Sequence, residues 1–283
     1  MMSGILGAAL PRDVAPERAL RQERLLVSDS VAVRCLKRPM PGSGPEILAL
    51  ERVEIAVAPW RWEFAYARAD EITRHFAARR RERPALWNGR VLLVNHFVVA
   101  DGVLRGASFE TDYANFLAWR DWGCPDASVC NVFAATALQA ADGAYLVGRM
   151  APFTSIAGQW LFPCGTPDPK DVRTGMLDLP GSVRRELLEE TGLDIGMMRA
   201  EAGWTMVRDN GFVALIKRVV AAVGADDLRA RIMRYLASEV QPEFSDIRIL
   251  RSMADVDGDM PRFVRAYLAP VWSRQLSAMP TPG

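Results

Sequence analysis

The sequence has few of the side chains that build zinc sites or redox centres. It contains two histidines and four cysteines. The cysteines, Cys35, Cys124, Cys130 and Cys164, include no C-x-x-C pair, so the spacing of a zinc finger or a dithiol motif is missing. Sparse cysteines of this kind favour a reduced, cytosolic setting. We therefore expect a cytoplasmic protein.

A surplus of one charge and long apolar runs are also missing. The 35 basic and 34 acidic side chains give a net charge of +1, which argues against nucleic-acid binding through bulk electrostatics. No run approaches the roughly 20 apolar residues of a membrane span, and the N-terminus lacks the pattern of a signal peptide. The sequence therefore predicts neither a nucleic-acid partner nor a membrane partner.

A dense acidic segment, RELLEETGL, occupies residues 185–193. In a helix, Glu186, Glu189 and Glu190 stand at i, i+3 and i+4, which places the three carboxylates on one face. Like charges at this spacing repel, and a bound cation would offset the repulsion. Oxygen ligands suit Mg²⁺, with Mn²⁺ as the alternative, better than they suit zinc. The competing interpretation is a solvated acidic helix with ordinary Glu–Arg pairs.

The ends of this predicted helix are recognisable. Pro180 suits a first helical turn, where its missing N–H costs little. Gly192 suits the left-handed position that ends a helix. Leu187 and Leu188 flank the acidic face, so we expect one side of the helix to be anchored in the core.

Residues 185–193 match the second half of the signature of the Nudix hydrolase family at every specified position. That signature is G-x5-E-x7-R-E-U-x-E-E-x-G-U, where U is a bulky aliphatic residue. The run WLFPCG at residues 160–165 resembles the strand and glycine turn that lead into the family's loop. The chain therefore resembles Nudix hydrolases from Gly165 to Leu193.

The first half of the signature departs from the pattern. Nineteen residues separate Gly165 from Arg185 where the pattern has thirteen, so the loop is six residues longer. Counted back from Arg185, Leu177 stands at the register of the upstream glutamate. The adjacent Asp178 is the expected substitute for that carboxylate.

The resemblance implies a Nudix fold of the α+β class, a mixed β-sheet between helices, with the signature holding metal ions. It also implies hydrolysis of a diphosphate linkage in a nucleoside diphosphate joined to another group. In the family, glutamates matching Glu189 and Glu190 bind metal, one matching Glu186 assists, and an arginine matching Arg185 orients a carboxylate. Asp178 completes the expected metal-binding set. Mg²⁺ would neutralise and position the diphosphate and lower the pKa of bound water.

A general base for the attacking water is expected either at Glu189 or in a later loop. Glu243, just before the strand predicted from Phe244, stands where the family often places such a glutamate, and Glu239 is the neighbour to compare. For both residues, an ordinary surface glutamate is the alternative.

The chain is predicted to have two parts. Residues 1–126 form an N-terminal, β-rich α+β region and residues 127–283 form the Nudix catalytic domain, with Gly123 and Pro125 near the boundary. Within the first part we predict a β-hairpin over residues 91–109, with an Asp-Gly turn.

Two helices are predicted in the same N-terminal part. One covers residues 67–80, where apolar side chains recur at helical spacing. The other covers residues 111–122, with Thr111 as its N-cap.

The turn WNG at residues 87–89 and the run TDYANFL at residues 111–117 are similar to the leader region of Nudix enzymes that cleave nucleotide sugars such as UDP-glucose. A small-molecule nucleotide sugar is therefore the first substrate hypothesis. ADP-ribose, a dinucleotide and a CoA compound compete within the same class. The second hypothesis is a Nudix-like domain that senses a nucleotide metabolite without cleaving it, and Leu177 is the feature behind it. A homodimer is left open.

Overall fold

The structure is a computed structural model that describes residues 33–34 and 44–278. Within these ranges it has fifteen β-strands and six α-helices, the α+β class predicted from the sequence. The strands are β1 (Val33–Arg34), β2 (Glu46–Leu50), β3 (Arg52–Val57), β4 (Arg90–Ala100), β5 (Val103–Asp112), β6 (Asn131–Gln139), β7 (Tyr145–Met150), β8 (Trp160–Leu161), β9 (Cys164–Gly165), β10 (Val172–Arg173), β11 (Met176–Leu177), β12 (Arg199–Ala200), β13 (Trp204–Asp209), β14 (Phe212–Val220) and β15 (Phe244–Leu250). The helices are α1 (Glu63–Ala67), α2 (Ala69–Glu82), α3 (Tyr113–Asp121), α4 (Leu179–Thr191), α5 (Ala225–Ser238) and α6 (Arg262–Ala278). None of the helices in the described part of the chain is both long and apolar enough to cross a membrane.

The strands form two sheets. One has six strands in the order β1-β4-β5-β3-β11-β10. The other has nine, of which six follow the order β15-β7-β6-β14-β13-β2, while β8, β9 and β12 pair beside this path. At its centre β6 runs parallel to β14, and the other pairs in this sheet are antiparallel. Every residue of β6 is buried, as expected for a strand covered on both faces. The larger sheet is therefore mixed.

Strands from both halves of the chain share the two sheets. β2 pairs antiparallel with β13 in the nine-stranded sheet. Residues 172–177 form the hairpin β10–β11, and Met176 of this hairpin pairs with Ala56 of β3. Its turn residues Thr174 and Gly175 have φ values of 49° and 77°, the left-handed values of a type I′ hairpin. The lengthened signature loop thus adds two strands to the smaller sheet, while the predicted division at residue 126 stays a prediction.

Two core clusters hold α4 in place. Leu187 packs with buried side chains of β6, β7, α5 and α6. Leu179 and Val183 pack instead with buried side chains of β4, β5, β6 and β14, in a cluster that also contains Leu177 of the hairpin. Full burial of one leucine or valine contributes about 1.5–3 kcal/mol. The helix that carries the signature is therefore fixed on one side by its own sheet and at its start by both sheets.

Most of the predicted elements of the N-terminal part are confirmed. The helix predicted over residues 67–80 is α2, and the predicted hairpin is β4–β5, paired from Arg90 to Asp112. The helix predicted over residues 111–122 is α3, but Thr111 is not its N-cap. The N-cap position belongs to Asp112, whose side chain makes no capping hydrogen bond. Thr111 instead lies at the end of β5, where its hydroxyl accepts a hydrogen bond from the Asn115 amide at 2.9 Å.

Replacing Gly192 with alanine is expected to destabilise the protein by about 2 kcal/mol or more, because the left-handed conformation alone costs a side chain about 1–2 kcal/mol. Gly192 ends α4 with φ 68°, and an added Cβ would lie 2.4 Å from the Tyr235 ring. Gly158→Ala is the matched control, since Gly158 has φ 82° and open space around it. Urea denaturation measures both variants. Equal losses in the two would contradict the expected contribution of the Tyr235 contact.

Candidate active site

Helix α4 begins and ends where the sequence predicts. Pro180 lies in the first turn, and Gly192 takes the left-handed position after the last turn, with its N–H donating to the Leu188 carbonyl at 2.8 Å. Asp178 is the N-cap, because its Oδ1 accepts a hydrogen bond from the Gly181 N–H at 3.0 Å. Whether Asp178 also binds metal stays a prediction, but its carboxylate already has a structural role.

The three glutamates of the signature differ in exposure. Glu186 and Glu190 are buried, at 9% and 1% exposure, whereas the side chain of Glu189 is 57% exposed. Glu186 and Glu190 are four residues apart and therefore lie one turn above the other on the inward side of the helix. A solvated acidic face is contradicted for these two residues. Carboxylates are almost never buried unless they are paired, so their partners decide what the site can do.

Arg185 contacts three carboxylates at once. Its Nη2 lies 3.0 Å from Glu186 Oε1 and 2.9 Å from Asp171 Oδ2, and its Nη1 lies 3.1 Å from Glu189 Oε2. Burial alone would lower the pKa of Arg185, but the charges of Glu186 and Asp171 outweigh it, so that its pKa is raised. The guanidinium is therefore a permanent cation that fixes the orientation of the carboxylates around it.

Asp171 is a site residue that the sequence prediction missed. It ends a 3-10 turn, Pro169–Asp171, and is 3% exposed. Its carboxylate accepts hydrogen bonds from the Asp168 N–H at 3.0 Å and from Arg185. The family signature has its first acid after a five-residue spacer, and counting forward from Gly165 leads to Asp171.

The position of the extra loop residues explains the miss. Counting backward from Arg185 assumes that all six extra residues precede the acid, and it leads to Leu177. In the structure the hairpin of residues 172–177 follows Asp171, and Leu177 is a buried hairpin residue. The Asp178 N–H donates to the Asp171 carbonyl at 2.7 Å, which closes the insertion. The forward count from Gly165 was the signal that could have found Asp171.

Glu190 carries a buried oxygen without a partner. Its Oε2 accepts a hydrogen bond from the Cys164 N–H at 3.0 Å, while no group among the described residues bonds its Oε1. Burial, with repulsion from Glu186 and Glu243, raises the pKa of Glu190. Burial and the charges of Glu190, Glu186 and Glu243 also raise the pKa of the Cys164 thiol. The thiol therefore stays protonated and is unsuited to act as a nucleophile.

The turn at Gly165 leaves room for a second carboxylate. An added Cβ at Gly165 would lie 2.1 Å from Glu186 Oε1, so any larger residue would displace Glu186. Among the described residues, no three His, Cys, Asp or Glu side chains form a ready-made metal-binding group. The chemistry of the donors nevertheless fits a hard divalent cation, because crowded carboxylate oxygens, one of them unpartnered, are the ligands that Mg²⁺ prefers.

Glu243 lies beside these carboxylates although it is 53 residues beyond Glu190 in sequence. Its charge contributes to the raised pKa values of Glu186 and Glu190. Loss of hydration and repulsion from Glu189 raise its own pKa. Glu239, the competing candidate, interacts instead with the side chain of Tyr235.

A cleft of about 720 Å³ lies beside this cluster, with Glu243 in its wall. One part of its wall comes from the signature loop and the strand after it, including Gly165, Asp168 and Glu243. Another part comes from the N-terminal half of the chain, including Trp87 and Phe116. The volume falls within the ~300–1,000 Å³ of small-molecule sites.

We expect the metal-free protein to lose stability as the pH rises. Burial, opposed by Arg185 and reinforced by Glu189 and Glu243, raises the pKa of Glu186 from 4.5 to about 7. The folded state then holds this proton more tightly than the unfolded state does. Its contribution is complete below about pH 4.5 and is lost as the pH rises through about 7, a change on the order of 3 kcal/mol.

Urea denaturation in EDTA between pH 4.5 and 8 measures this loss. Glu186→Gln should flatten the profile, since glutamine does not titrate. An unchanged pH slope in that variant would show that other groups cause the loss.

Neither protein-family models nor curated protein sequences match the chain. Among solved structures, it is similar to the MutT protein from Methanosarcina mazei Go1, at 17% identity over 51% of this chain and 94% of that chain, with a TM-score of 0.36. It is similar to RenU, a Nudix hydrolase from M. smegmatis, at 17% identity over 54% of this chain and 89% of that chain, with a TM-score of 0.32. It is also similar to a Bacillus subtilis pyrophosphohydrolase, BsRppH, at 12% identity over 51% of this chain and 80% of that chain, with a TM-score of 0.32. These neighbours include a protein of the Nudix hydrolase family, the family that the signature of this chain resembles.

Proposed function

We propose that the protein is a Mg²⁺-dependent diphosphatase of the Nudix type, which hydrolyses the diphosphate linkage of a nucleoside diphosphate joined to another group. A nucleotide sugar is the first-ranked substrate. The observation that carries the proposal is the convergence of Glu186, Glu190 and Glu243 in one cluster, in which Arg185 fixes Glu186 and Glu243 lines the cleft. In the part of the chain that the structure describes, Arg185 is the one cation paired with Glu186, and a cluster with more buried carboxylates than paired cations is costly unless a further cation neutralises it.

In this proposal Glu186, Glu189 and Glu190 hold the metal, with Asp178 as the further predicted ligand and Mn²⁺ as an alternative ion. When bound, the ion supplies charge neutralisation for the diphosphate and a more acidic water. The chain's own residues supply the orientation. Arg185 fixes two of the carboxylates, and the Cys164 N–H fixes Glu190.

The general base is proposed to be Glu243, with Glu189 as the alternative. Water attacks a phosphorus atom of the diphosphate, and the glutamate takes up the proton that the water releases. The bond from that phosphorus to the bridging oxygen breaks, and the bridging oxygen leaves with the other phosphate. A raised pKa suits this role, because a base whose pKa lies nearer to neutral pH holds the proton better. The pKa of Glu243 is raised in this way.

A substrate panel tests the proposed function. The full chain is incubated with UDP-sugars, ADP-ribose, dinucleotides and nucleoside triphosphates, with Mg²⁺, with Mn²⁺ or with EDTA, and the products are identified by chromatography. Metal-dependent release of a nucleoside monophosphate from one class would support the proposal and name the substrate. Cleavage that persists in EDTA, or no cleavage of any compound, would contradict it.

A non-hydrolytic nucleotide sensor is the second candidate. It is favoured by Asp171, a shorter acid than the glutamate of the family pattern. Such a protein would gain thermal stability with a nucleotide ligand, while chromatography would recover that ligand unchanged after long incubation with Mg²⁺.

A further inference from the structure

We infer that Trp87 is the platform on which the nucleobase of the substrate stacks, so that the N-terminal half of the chain supplies base binding. The inference rests on the proposed function and adds a substrate-binding residue to it. Trp87 is 81% exposed, although tryptophan is usually highly buried. It lines the same cleft as Gly165, Asp168 and Glu243. A large apolar ring is thus held in water beside the acidic site.

The position of the indole is fixed by its own turn. An added Cβ at Gly89 would lie 2.5 Å from the Trp87 ring, so the ring lies against the backbone of Gly89. The next residue, Asn88, accepts a hydrogen bond from the Ala114 N–H at 2.8 Å, and the Gly89 carbonyl accepts one from the Tyr113 N–H at 2.8 Å. The turn is therefore anchored to the start of α3. A ring held in this way loses little entropy when a ligand stacks on it.

The walls around Trp87 suit one end of a nucleotide. Leu86, Val91, Tyr113 and Phe116 line the cleft together with Trp87, which makes this part of the wall apolar and aromatic. Another part of the wall contains Glu243, which lies beside the signature carboxylates, the proposed site for a cation and, through it, for a diphosphate. A ligand with a flat aromatic group at one end and phosphates at the other matches both parts of the wall. A nucleotide has these two groups.

The arginines of the cleft are already engaged. Arg90 pairs with Glu110 and Asp112, Arg120 pairs with Asp121, and Arg262 pairs with Asp209. These three guanidinium groups are therefore already paired with carboxylates and do not provide a free donor for the base. Stacking on an aromatic ring tolerates different bases, so both a pyrimidine and a purine nucleotide should depend on Trp87.

Binding of UDP, ADP and inorganic pyrophosphate to the full chain in Mg²⁺, measured by calorimetry, tests this inference. Trp87→Ala is expected to weaken UDP and ADP binding by about ten- to a hundredfold, the range of one base stacked on an aromatic ring. Pyrophosphate affinity should stay unchanged, and Trp87→Phe should restore most of the nucleotide affinity. Tyr66→Ala is the matched control, since Tyr66 is 68% exposed and is not among the cleft residues.

Three results would overturn the inference. The first is that Trp87→Ala binds UDP as tightly as the unmodified chain does. The second is that Trp87→Ala loses as much affinity for pyrophosphate as for UDP. The third is that the unmodified chain binds no nucleotide. The substrate panel separates this inference from the proposed function. If UDP binding depends on Trp87 but no compound is cleaved, the stacking role of Trp87 is supported and the proposed hydrolase activity is refuted. Metal-dependent cleavage together with UDP binding that is unchanged in Trp87→Ala would support the hydrolase and refute the stacking role of Trp87.

Discussion

Replacing Glu190 with glutamine is expected to lower Mg²⁺-dependent turnover by about a hundredfold or more while the protein stays folded. A bound metal contributes several kcal/mol to transition-state stabilisation, and each 1.36 kcal/mol is a factor of ten in rate. Glutamine has the shape of glutamate and can still accept the hydrogen bond from the Cys164 N–H. What it lacks is the negative charge at Oε1, the oxygen without a partner in the described residues.

The same substitution should stabilise the metal-free protein at a pH above the raised pKa of Glu190. Burial and the neighbouring carboxylates raise the pKa of Glu190, so the folded state binds its proton more tightly than the unfolded state does. The stability that this provides is present below the unfolded pKa and is lost as the pH rises through the folded value. Glutamine carries no such charge and avoids the loss. Conversely, Mg²⁺ should raise the melting temperature of the unmodified protein more than that of Glu190→Gln.

Turnover by chromatography and melting temperature with and without Mg²⁺ are the two measurements. Glu239→Gln is the control, because Glu239 is an exposed glutamate at the end of α5 and is expected to change neither. Undiminished Mg²⁺-dependent turnover in Glu190→Gln would refute the assignment of the site. An equal Mg²⁺ shift in both proteins would show that Glu190 is not a metal ligand.

The sequence was sufficient for the local features of the site. Helix α4, its start near Pro180, its end at Gly192 and the i, i+4 pairing of Glu186 with Glu190 all follow from spacing and backbone preferences, which act over a few residues. The α+β class followed from the resemblance to a known signature. These features depend on local interactions or on a pattern nine residues long.

Other features depend on contacts between distant residues. Glu243 joins the carboxylate cluster only because β15 pairs with β7 at one side of the larger sheet. The sharing of strands, with β2 in the larger sheet and β10–β11 in the smaller one, is a long-range pairing that no local pattern encodes. Asp171 was missed for a different reason, since its spacing from Gly165 was visible but the place of the insertion was not. The hairpin turn at Thr174 and Gly175 contains the information that would have located it.

The second large expected effect concerns Asp171, which takes the place of the upstream glutamate of the signature. Asp171→Asn should lower turnover by about 10–100-fold, the usual effect of removing a group that orients a metal ligand. Both oxygens of Asp171 accept from Arg185 Nη2, at 3.0 and 2.9 Å. Asparagine keeps one acceptor and loses the charge, so the guanidinium is held less firmly against Glu186 and Glu189.

Asp178→Asn is the paired variant, because asparagine is as good an N-cap as aspartate. It keeps the cap of α4 and removes only the charge. We expect a smaller loss of turnover than in Asp171→Asn, because the contact between Asp171 and Arg185 stays intact. Asp171→Glu, which restores the acid of the family pattern, should retain more activity than Asp171→Asn.

The Mg²⁺ concentration for half-maximal turnover, measured beside urea stability, separates orientation of the site from simple unfolding. A purely structural role for Asp171 would lower stability and leave this concentration unchanged. The opposite result, a large loss in Asp178→Asn with Asp171→Asn nearly normal, would make Asp178 the upstream carboxylate. The ion pair between Asp171 and Arg185 would then support the loop without serving the metal.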